Sequence, residues 1–171
     1  FSAAGETDGA RTISNEEYFR LLAQRVIDLL SRNTADGFVY RVDVRLRPFG
    51  SAGPLAVSVS ALENYLLQNG RDWERYAWIK ARVVNDWADA EYLYRDVLRP
   101  FVYRRYLDYG LLESLRDLHG RIQAEASRRG RTDDIKVGAG GIRECEFAVQ
   151  LFQLVRGGRD PGLQLHSTRE A

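Results

Sequence analysis

The spacing of apolar residues first predicts a helix near the start of the chain. Ser14 and Glu17 stand in the S-x-x-E order of a capping box, which places the first residue of the helix just after Ser14. Apolar residues then recur at intervals of three and four, so the helix is predicted to continue to about Ser31 with one buried face. The residues predicted on that face are Phe19, Leu22, Ala23, Val26 and Leu30.

From Phe38 the apolar period changes from helical spacing to two. The alternation through Leu46 predicts a half-buried strand, because successive side chains of a strand point to opposite faces. Turn residues fill 48–54, and a second short alternation runs from Leu55 to Val59. A β-hairpin is the simplest structure that accounts for both segments.

Beyond the predicted hairpin, every periodic segment has helical spacing. The predicted helices begin or end at Ser60 and Gly70, at Asp72 and about Arg82, near Pro100, at about Leu111 and Arg129, and at about Ile142 and Gly157. Most of these positions carry residues that cap or interrupt helices. We therefore expect a mostly helical α+β fold, with a β-hairpin joined to a helical bundle and domains at residues 1–59 and 60–171.

Charge and composition narrow the possible partners and compartment. The 171 residues include 25 basic and 24 acidic side chains, for a net charge of +1, so nothing favours general attraction to nucleic acid or to an anionic membrane. No apolar run approaches the roughly 20 residues of a membrane-spanning helix. The one cysteine, Cys145, is typical of a reducing cytoplasm. The chain contains no methionine, which favours a piece of a longer protein.

The predicted strand at 41–47 carries the most informative group of charged residues. Arg41, Asp43, Arg45 and Arg47 alternate on its non-core face, spaced about 6.6 Å apart. Arginine forks bind phosphate oxygens, and a carboxylate beside them can hold a divalent cation. The alternative is a solvated sheet face on which Asp43 only balances the charge of its neighbours, and the pattern alone favours that alternative.

A glycine-rich loop, 138–141, precedes the last predicted helix. Such a loop can present backbone N–H groups to an anion, although this one lacks the established phosphate-binding motifs. A tight backbone crossing between a connector and the helix explains it equally well. The polar residues that flank the loop are Lys136, Arg143, Glu144 and Glu146.

Aromatic and basic residues alternate closely in the segment 73–82. Trp73, Tyr76 and Trp78, with Lys80 and Arg82 after them, combine stacking surfaces with cations. Aromatic residues at helical spacing are more often part of a core, and we expect that here.

Four strings of the sequence resemble those of a known family. They are RVDVRLRPFG at 41–50, GRDWERYA at 70–77, KARV at 80–83 and GGIRECEF at 140–147. In this order they resemble the bifunctional glutamine synthetase adenylyltransferase and adenylyl-removing enzymes, which are polymerase-β-like nucleotidyltransferases. The versions here are more similar to the N-terminal, deadenylylating half than to the adenylylating half.

The resemblance implies a metal-dependent active site that is only partly present in these residues. The family has three acidic metal ligands, and Asp43 matches the one on the later strand of a small sheet. The other two form an Asp-x-Asp pair, which does not occur in this sequence and is expected upstream of Phe1. The implied cofactor is Mg²⁺, with ATP, ADP and orthophosphate as substrates or products, and the fragment alone is expected to be inactive.

The resemblance also implies roles for the basic residues and for partner proteins. In the deadenylylating half, orthophosphate would attack the adenylyl-tyrosine of glutamine synthetase and release ADP. Arg41, Arg45 and Arg47 would offset phosphate charge and lower the pKa of Asp43. By match to the strings, the further site candidates are Lys80, Arg82, Lys136, Gly140, Arg143 and Glu144. The expected partners are glutamine synthetase and a PII-type signal protein, and the alternative function is a helical module that docks either protein.

Overall fold

A computed structural model describes residues 1–106, 109–130, 134–136, 138 and 140–167. The chain divides into two compact units, which we call unit 1 (Phe1–Asn69) and unit 2 (Gly70–Ala171). The domain division predicted after Val59 falls at the first residue of a helix inside unit 1. As a division into separate domains it stays a prediction.

Unit 1 contains two α-helices, α1 (Asn15–Ser31) and α2 (Val59–Asn69), and a short 3-10 turn at Gly50–Ala52. The predicted cap of α1 is confirmed, because the Glu17 N–H donates to the Ser14 hydroxyl. The cap of α2 lies earlier than predicted, since the Ala61 N–H donates to Ser58 and the helix begins at Val59. Local hydroxyl acceptors therefore determine both helix starts.

The buried apolar side chains of unit 1 lie mainly on α2. Val59, Leu62 and Leu66 occupy one face of this helix and are buried. By contrast, α1 has no buried residue. The prediction that Leu22 and Val26 are buried was wrong, because their exposed fractions are 43% and 46%.

The predicted β-hairpin was also wrong, and with it the sheet part of the predicted fold. Within the part of the chain that the structure describes, β-pairing is limited to two isolated bridges, Glu6 with Ser14 and Thr34 with Gly37. A lone two-stranded hairpin is marginal in water, and residues 38–46 leave apolar side chains exposed on both sides instead of covering a core. The alternating pattern was present, but no strand among the described residues pairs with this segment.

Unit 2 is helical throughout its regular elements. They are α3 (Asp72–Trp78), α4 (Ala90–Tyr92), a π-helical segment (Leu93–Leu98), α5 (Arg99–Val102), α6 (Tyr109–Arg128), α7 (Ile142–Arg156) and a 3-10 turn (Pro161–Leu163). The predictions of α6 and α7 are confirmed to within two residues at each end. The helix predicted from Asp72 to Arg82 is shorter than expected, since α3 ends at Trp78. None of the described helices is long and apolar enough to cross a membrane.

The short helix α3 lies at the centre of unit 2, where it packs against α5, α6 and α7. The buried apolar residues of unit 2 come from these helices, from the π-helical segment and from the end of α3. They are Ile79, Val97, Leu98, Phe101, Val102, Leu111, Leu115 and Leu154. This core fixes the relative positions of α3, α6 and α7, on which the polar residues of unit 2 stand.

The buried face of α7 differs from the one that periodicity predicted. Cys145 and Phe152 were predicted to face the core, yet both are exposed. Gln150, Gln153 and Leu154 are buried instead. The Gln153 amide donates to the carbonyls of Leu163 and Leu165, at 2.8 and 2.9 Å, so this polar residue is satisfied inside the unit.

The predicted stop at Gly157 is confirmed, and a close backbone approach explains the glycines there. A Cβ atom on Gly158 would lie 2.1 Å from the carbonyl oxygen of Arg104, and one on Gly157 would lie 2.6 Å from the Tyr103 ring. Any larger residue would push these segments apart. The glycine pair therefore allows the end of α7 to pack against residues 103–105.

Candidate functional site

In unit 1, Asp43 and Arg45 form a tight ion pair on the surface. The Arg45 guanidinium donates from Nε to Oδ1 of Asp43 at 3.0 Å and from Nη2 to Oδ2 at 2.6 Å. The backbone N–H of Arg45 also donates to Oδ1, at 3.0 Å. Because the two residues are only two positions apart, local backbone geometry is enough to bring them together.

The side chain of Asp43 is 43% exposed, so its carboxylate is open to solvent. The side-chain hydrogen bonds from Arg45, followed by the Arg45 backbone N–H, hold the pKa of Asp43 well below its usual range, and the charge of Arg41 adds a smaller effect. The predicted direction of this pKa shift is confirmed. Asp43 is therefore ionised at any physiological pH.

Arg47 has a different local role from its two neighbours. Its guanidinium donates to the carbonyls of Val44 at 2.6 Å, Gly53 at 3.1 Å and Ser51 at 3.3 Å. It therefore closes the loop around the 3-10 turn and engages backbone oxygens that would otherwise need water or a strand partner. In this arrangement Arg47 serves the loop, whereas Arg41 is an exposed side chain beside Asp43.

The donor groups around Asp43 do not by themselves fit a magnesium site. Among the described residues, no group of three or more His, Cys, Asp or Glu side chains could hold a metal ion. Both carboxylate oxygens of Asp43 already accept hydrogen bonds from Arg45. A two-metal centre requires several oxygen ligands, so further ligands would have to come from outside the described residues.

A second polar cluster, in unit 2, is centred on Glu144 near the start of α7. The Glu144 carboxylate accepts a hydrogen bond from Gln123 on α6 at 2.6 Å and one from the Gly140 N–H at 2.7 Å, and His119 lies 3.4 Å away. The Gly140 and Gln123 hydrogen bonds are the main causes of a lowered pKa of Glu144. This one carboxylate joins α6, α7 and the preceding loop. Sequence analysis proposed Glu144 and Gly140, but nothing in the periodicity identified Gln123 or His119.

Aromatic rings and an ion pair lie beside this cluster. The Phe147 ring has its centroid 4.9 Å from that of His119 and 5.4 Å from that of Tyr76. The ammonium of Lys80 lies 3.6 Å from the carboxylate of Glu146. Burial, followed by the charge of Glu146, raises the pKa of Tyr76. The structure therefore brings residues of the second, third and fourth strings into one neighbourhood of unit 2.

The backbone N–H groups at the start of α7 are engaged within the chain. Ile142 and Arg143 donate to the carbonyls of Ile135 and Lys136, at 2.9 and 3.0 Å. A Cβ on Gly141 would lie 2.6 Å from the Ile135 oxygen, so the backbone segments cross closely here. The geometry favours the tight crossing over an open anion site. Val137 and Ala139 of this loop lie outside the described residues.

The remaining predicted site residues are exposed. Arg82 lies in an irregular segment after α3, and Lys136 lies in the turn before α7, where its N–H donates to the Asp134 carboxylate. Arg143 is exposed in the first turn of α7. All three residues belong to unit 2, whereas Asp43 belongs to unit 1.

Sequence analysis missed a buried arginine in the second string. Arg75 is only 1% exposed, and its guanidinium donates to the Val102 carbonyl from Nε and Nη2, at 3.3 and 3.1 Å. Its Nη1 lies 3.4 Å from Asp72. Val102 is the last residue of α5, so Arg75 satisfies a carbonyl that the helix end leaves open. The sequence offered one indication of this role. Asp72, Glu74 and Arg75 are charged residues in a short helix that is otherwise mostly aromatic.

The described fold is that of a helical protein. It carries an exposed arginine–aspartate pair in unit 1 and a separate carboxylate cluster in unit 2, and both groups suit contact with polar ligands. Comparison with known sequences supplies the family. Residues 1–96 match the model for glutamate-ammonia ligase adenylyltransferase, and residues 116–170 match the model for GlnD PII-uridylyltransferase. The first match covers more than half of the chain, so the chain belongs to the glutamate-ammonia ligase adenylyltransferase family.

Two curated relatives share this similarity along nearly the whole chain. The bifunctional glutamine synthetase adenylyltransferase/adenylyl-removing enzyme of Chromobacterium violaceum is 57% identical over 169 residues, which are 99% of this chain and 19% of the relative. The enzyme with the same name from Thioalkalivibrio sulfidiphilus is 56% identical over 99% of this chain and 17% of its own length. The chain therefore spans less than a fifth of the relatives it matches.

Proposed function

We propose that this chain is part of an enzyme that removes AMP from a tyrosine of glutamine synthetase and, through another part, adds it. The observation that carries the proposal is the 57% identity over 99% of the chain to a relative named for both activities. Assignment to the deadenylylating half rests on the RDWERYA and KARV strings. Asp43 is the one exposed carboxylate that the described residues place beside Arg41 and Arg45, so we expect the chain alone to be inactive.

The chemistry would take place at a phosphodiester. An oxygen of orthophosphate attacks the adenylyl phosphorus, the bond from phosphorus to the tyrosine oxygen breaks, and ADP and free tyrosine result after the tyrosine oxygen takes up a proton. Arg41 and Arg45 are exposed and cationic, and can offset charge on phosphate oxygens. Arg47 would contribute by holding the loop that follows, given its three carbonyl contacts.

Asp43 would be one oxygen ligand of Mg²⁺, with the others supplied from outside the described residues. What supports this role is that its carboxylate is ionised and open to solvent. The Arg45 fork would have to give up at least one carboxylate oxygen, which an exposed ion pair can do at small cost. We further propose that the enzyme is cytoplasmic, in keeping with a single cysteine that is not in a disulfide.

The decisive experiment is Asp43→Asn in the full-length protein that carries this chain. We expect removal of AMP from adenylylated glutamine synthetase to fall by on the order of 100-fold or more, since a lost metal ligand or charge contact removes several kcal/mol of transition-state stabilisation. The assay is release of ADP in the presence of orthophosphate. Asp36→Asn, at another exposed aspartate of unit 1, is the matched control and should retain full activity. Undiminished turnover by Asp43→Asn would remove this residue from the site.

A second candidate function is docking of a partner protein by the helices of unit 2. It is favoured by the match of residues 116–170 to a family named for uridylylation of PII. Glutamine synthetase and a PII-type protein are the partners to test. Binding of either one to the full-length protein, measured by titration calorimetry, should weaken on Arg143→Glu but not on Asp43→Asn if this function is correct. Equal binding by all variants would contradict it.

A further inference from the structure

The helix α1 carries more apolar surface than unit 1 covers. One side of the helix, formed by Phe19, Ala23, Ile27 and Leu30, is half-buried. Next to it lies a row that we call the α1 stripe, in which each side chain is between 43% and 60% exposed. The α1 stripe consists of Tyr18, Leu22, Val26 and Leu29. At 100° per residue these four positions fall within roughly 80° of arc, so they form one continuous surface.

The α1 stripe is distinct from the solvated face of the same helix. That face carries its own ion pairs, Arg20 with Glu17 and Arg32 with Asp28. A solvated helix surface ordinarily consists of such charged pairs, whereas a continuous apolar row marks a surface that meets a partner. Exposed aromatic side chains also follow soon after α1 in the chain, at Phe38 and Tyr40, which enlarges the uncovered apolar area of unit 1.

The relatives are much longer than this chain. The chain accounts for 19% and 17% of the two curated relatives, so most of each polypeptide lies outside the matched region. We propose that the α1 stripe is an intramolecular interface, covered in the full-length protein by apolar side chains from the part of the same polypeptide that lies outside residues 1–171. A covalently linked occupant is present at high effective concentration, which favours it over a separate molecule.

The test measures the accessibility of single cysteines in the full-length protein. Leu22→Cys and Val26→Cys are placed in the α1 stripe, and Gln24→Cys is placed on the opposite, exposed side of α1 as the control. Each variant is labelled with a maleimide, and the labelled peptide is followed by mass spectrometry so that Cys145 and other cysteines do not interfere. We expect the two stripe positions to react at least about tenfold more slowly than Gln24→Cys, because the covered surface must open first.

Several outcomes would overturn the proposal. Equal rates at all three positions in a full-length monomer would show that the α1 stripe is open. Protection that depends on protein concentration would assign the surface to a second copy, and protection that requires added glutamine synthetase would assign it to that partner. If Leu22→Cys does not fold, as judged by circular dichroism, Leu29→Cys provides the same measurement. None of these readouts depends on enzymatic activity, so the result is independent of the proposed function.

Discussion

Among the described residues, unit 2 buries charged side chains and unit 1 does not. In unit 2, Arg75 is buried and joins α3 to the end of α5, whose last residue, Val102, lies far away in the sequence. In unit 1, the ion pairs connect residues two to four positions apart, such as Arg45 with Asp43, and remain exposed. Of the residues that the structure describes, most of the exposed large apolar side chains are also in unit 1. Unit 2 has exposed local ion pairs as well, such as Arg95 with Glu91, but it adds a buried long-range contact through Arg75. The ion pairs described in unit 1 are exposed and local, so this unit leaves both charge and apolar surface available.

This difference matters for function, because a surface that is available can still bind a ligand or another part of the protein. The Asp43 carboxylate can exchange Arg45 for a different partner at little cost. The Arg75 guanidinium cannot, since removing it would leave buried acceptors unpaired. The three tryptophans, Trp73, Trp78 and Trp87, all lie in unit 2, so their fluorescence reports on that unit alone.

The largest expected effect is that of Arg75→Met. The substitution removes the donors to the Val102 carbonyl and leaves Asp72 without its cation. We expect the free energy of unfolding of unit 2 to fall by about 3–5 kcal/mol, the usual cost of breaking a buried charged contact. Urea unfolding followed by tryptophan fluorescence measures it. Arg116→Met, at an exposed position of α6, should change stability by no more than about 0.5 kcal/mol.

A leucine-to-alanine pair compares the two units directly. Leu115 is 1% exposed, so Leu115→Ala should cost about 2–5 kcal/mol through lost burial and a cavity. Leu22 is half-exposed in unit 1, and Leu22→Ala in the 171-residue chain should cost about 1 kcal/mol or less. Circular dichroism during urea unfolding detects both changes. Equal costs would contradict the view that unit 1 leaves its apolar face uncovered.

A smaller effect is expected at Glu144, and it depends on pH. Because its pKa is lowered in the folded chain from the usual 4.5, the carboxylate adds stability above that pH, and this contribution is lost as the pH falls through the folded value. Glu144→Gln should therefore destabilise unit 2 at pH 7 and have less effect in acid. Thermal unfolding, followed by tryptophan fluorescence at pH 7 and at a pH below the folded pKa of Glu144, tests this prediction. Glu113→Gln, at an exposed position of α6, is the matched control and should change the unfolding temperature little at pH 7.

The smallest effect is expected for Asp43→Asn in the 171-residue chain. Its ion pair with Arg45 is exposed and local, so the unfolding midpoint measured by circular dichroism should not change. In the full-length protein the same substitution should lower the proposed removal of AMP by on the order of 100-fold or more. Unchanged stability together with lost activity in Asp43→Asn is the result expected if Asp43 binds a ligand. A clear loss of stability would instead assign Asp43 a structural role in unit 1.

The sequence by itself determined much of the helical structure. The Ser14–Glu17 capping box placed the start of α1, and apolar residues at helical spacing placed α6 and α7. These features were predictable because a cap and its helix are separated by a few residues, and the hydrogen bonds that define them form within one segment. The pairing of Asp43 with Arg45 follows from the sequence for the same reason.

Only the tertiary structure decided which faces are buried and which residues meet across the chain. Periodicity placed Leu22 and Phe152 in the core, and both are exposed, whereas Gln153 and Arg75 are buried with their hydrogen bonds satisfied. The alternation at 38–46 gave no strand, because a strand exists only when another backbone pairs with it. Burial and pairing depend on partners distant in sequence, and a periodic pattern contains no information about where those partners lie.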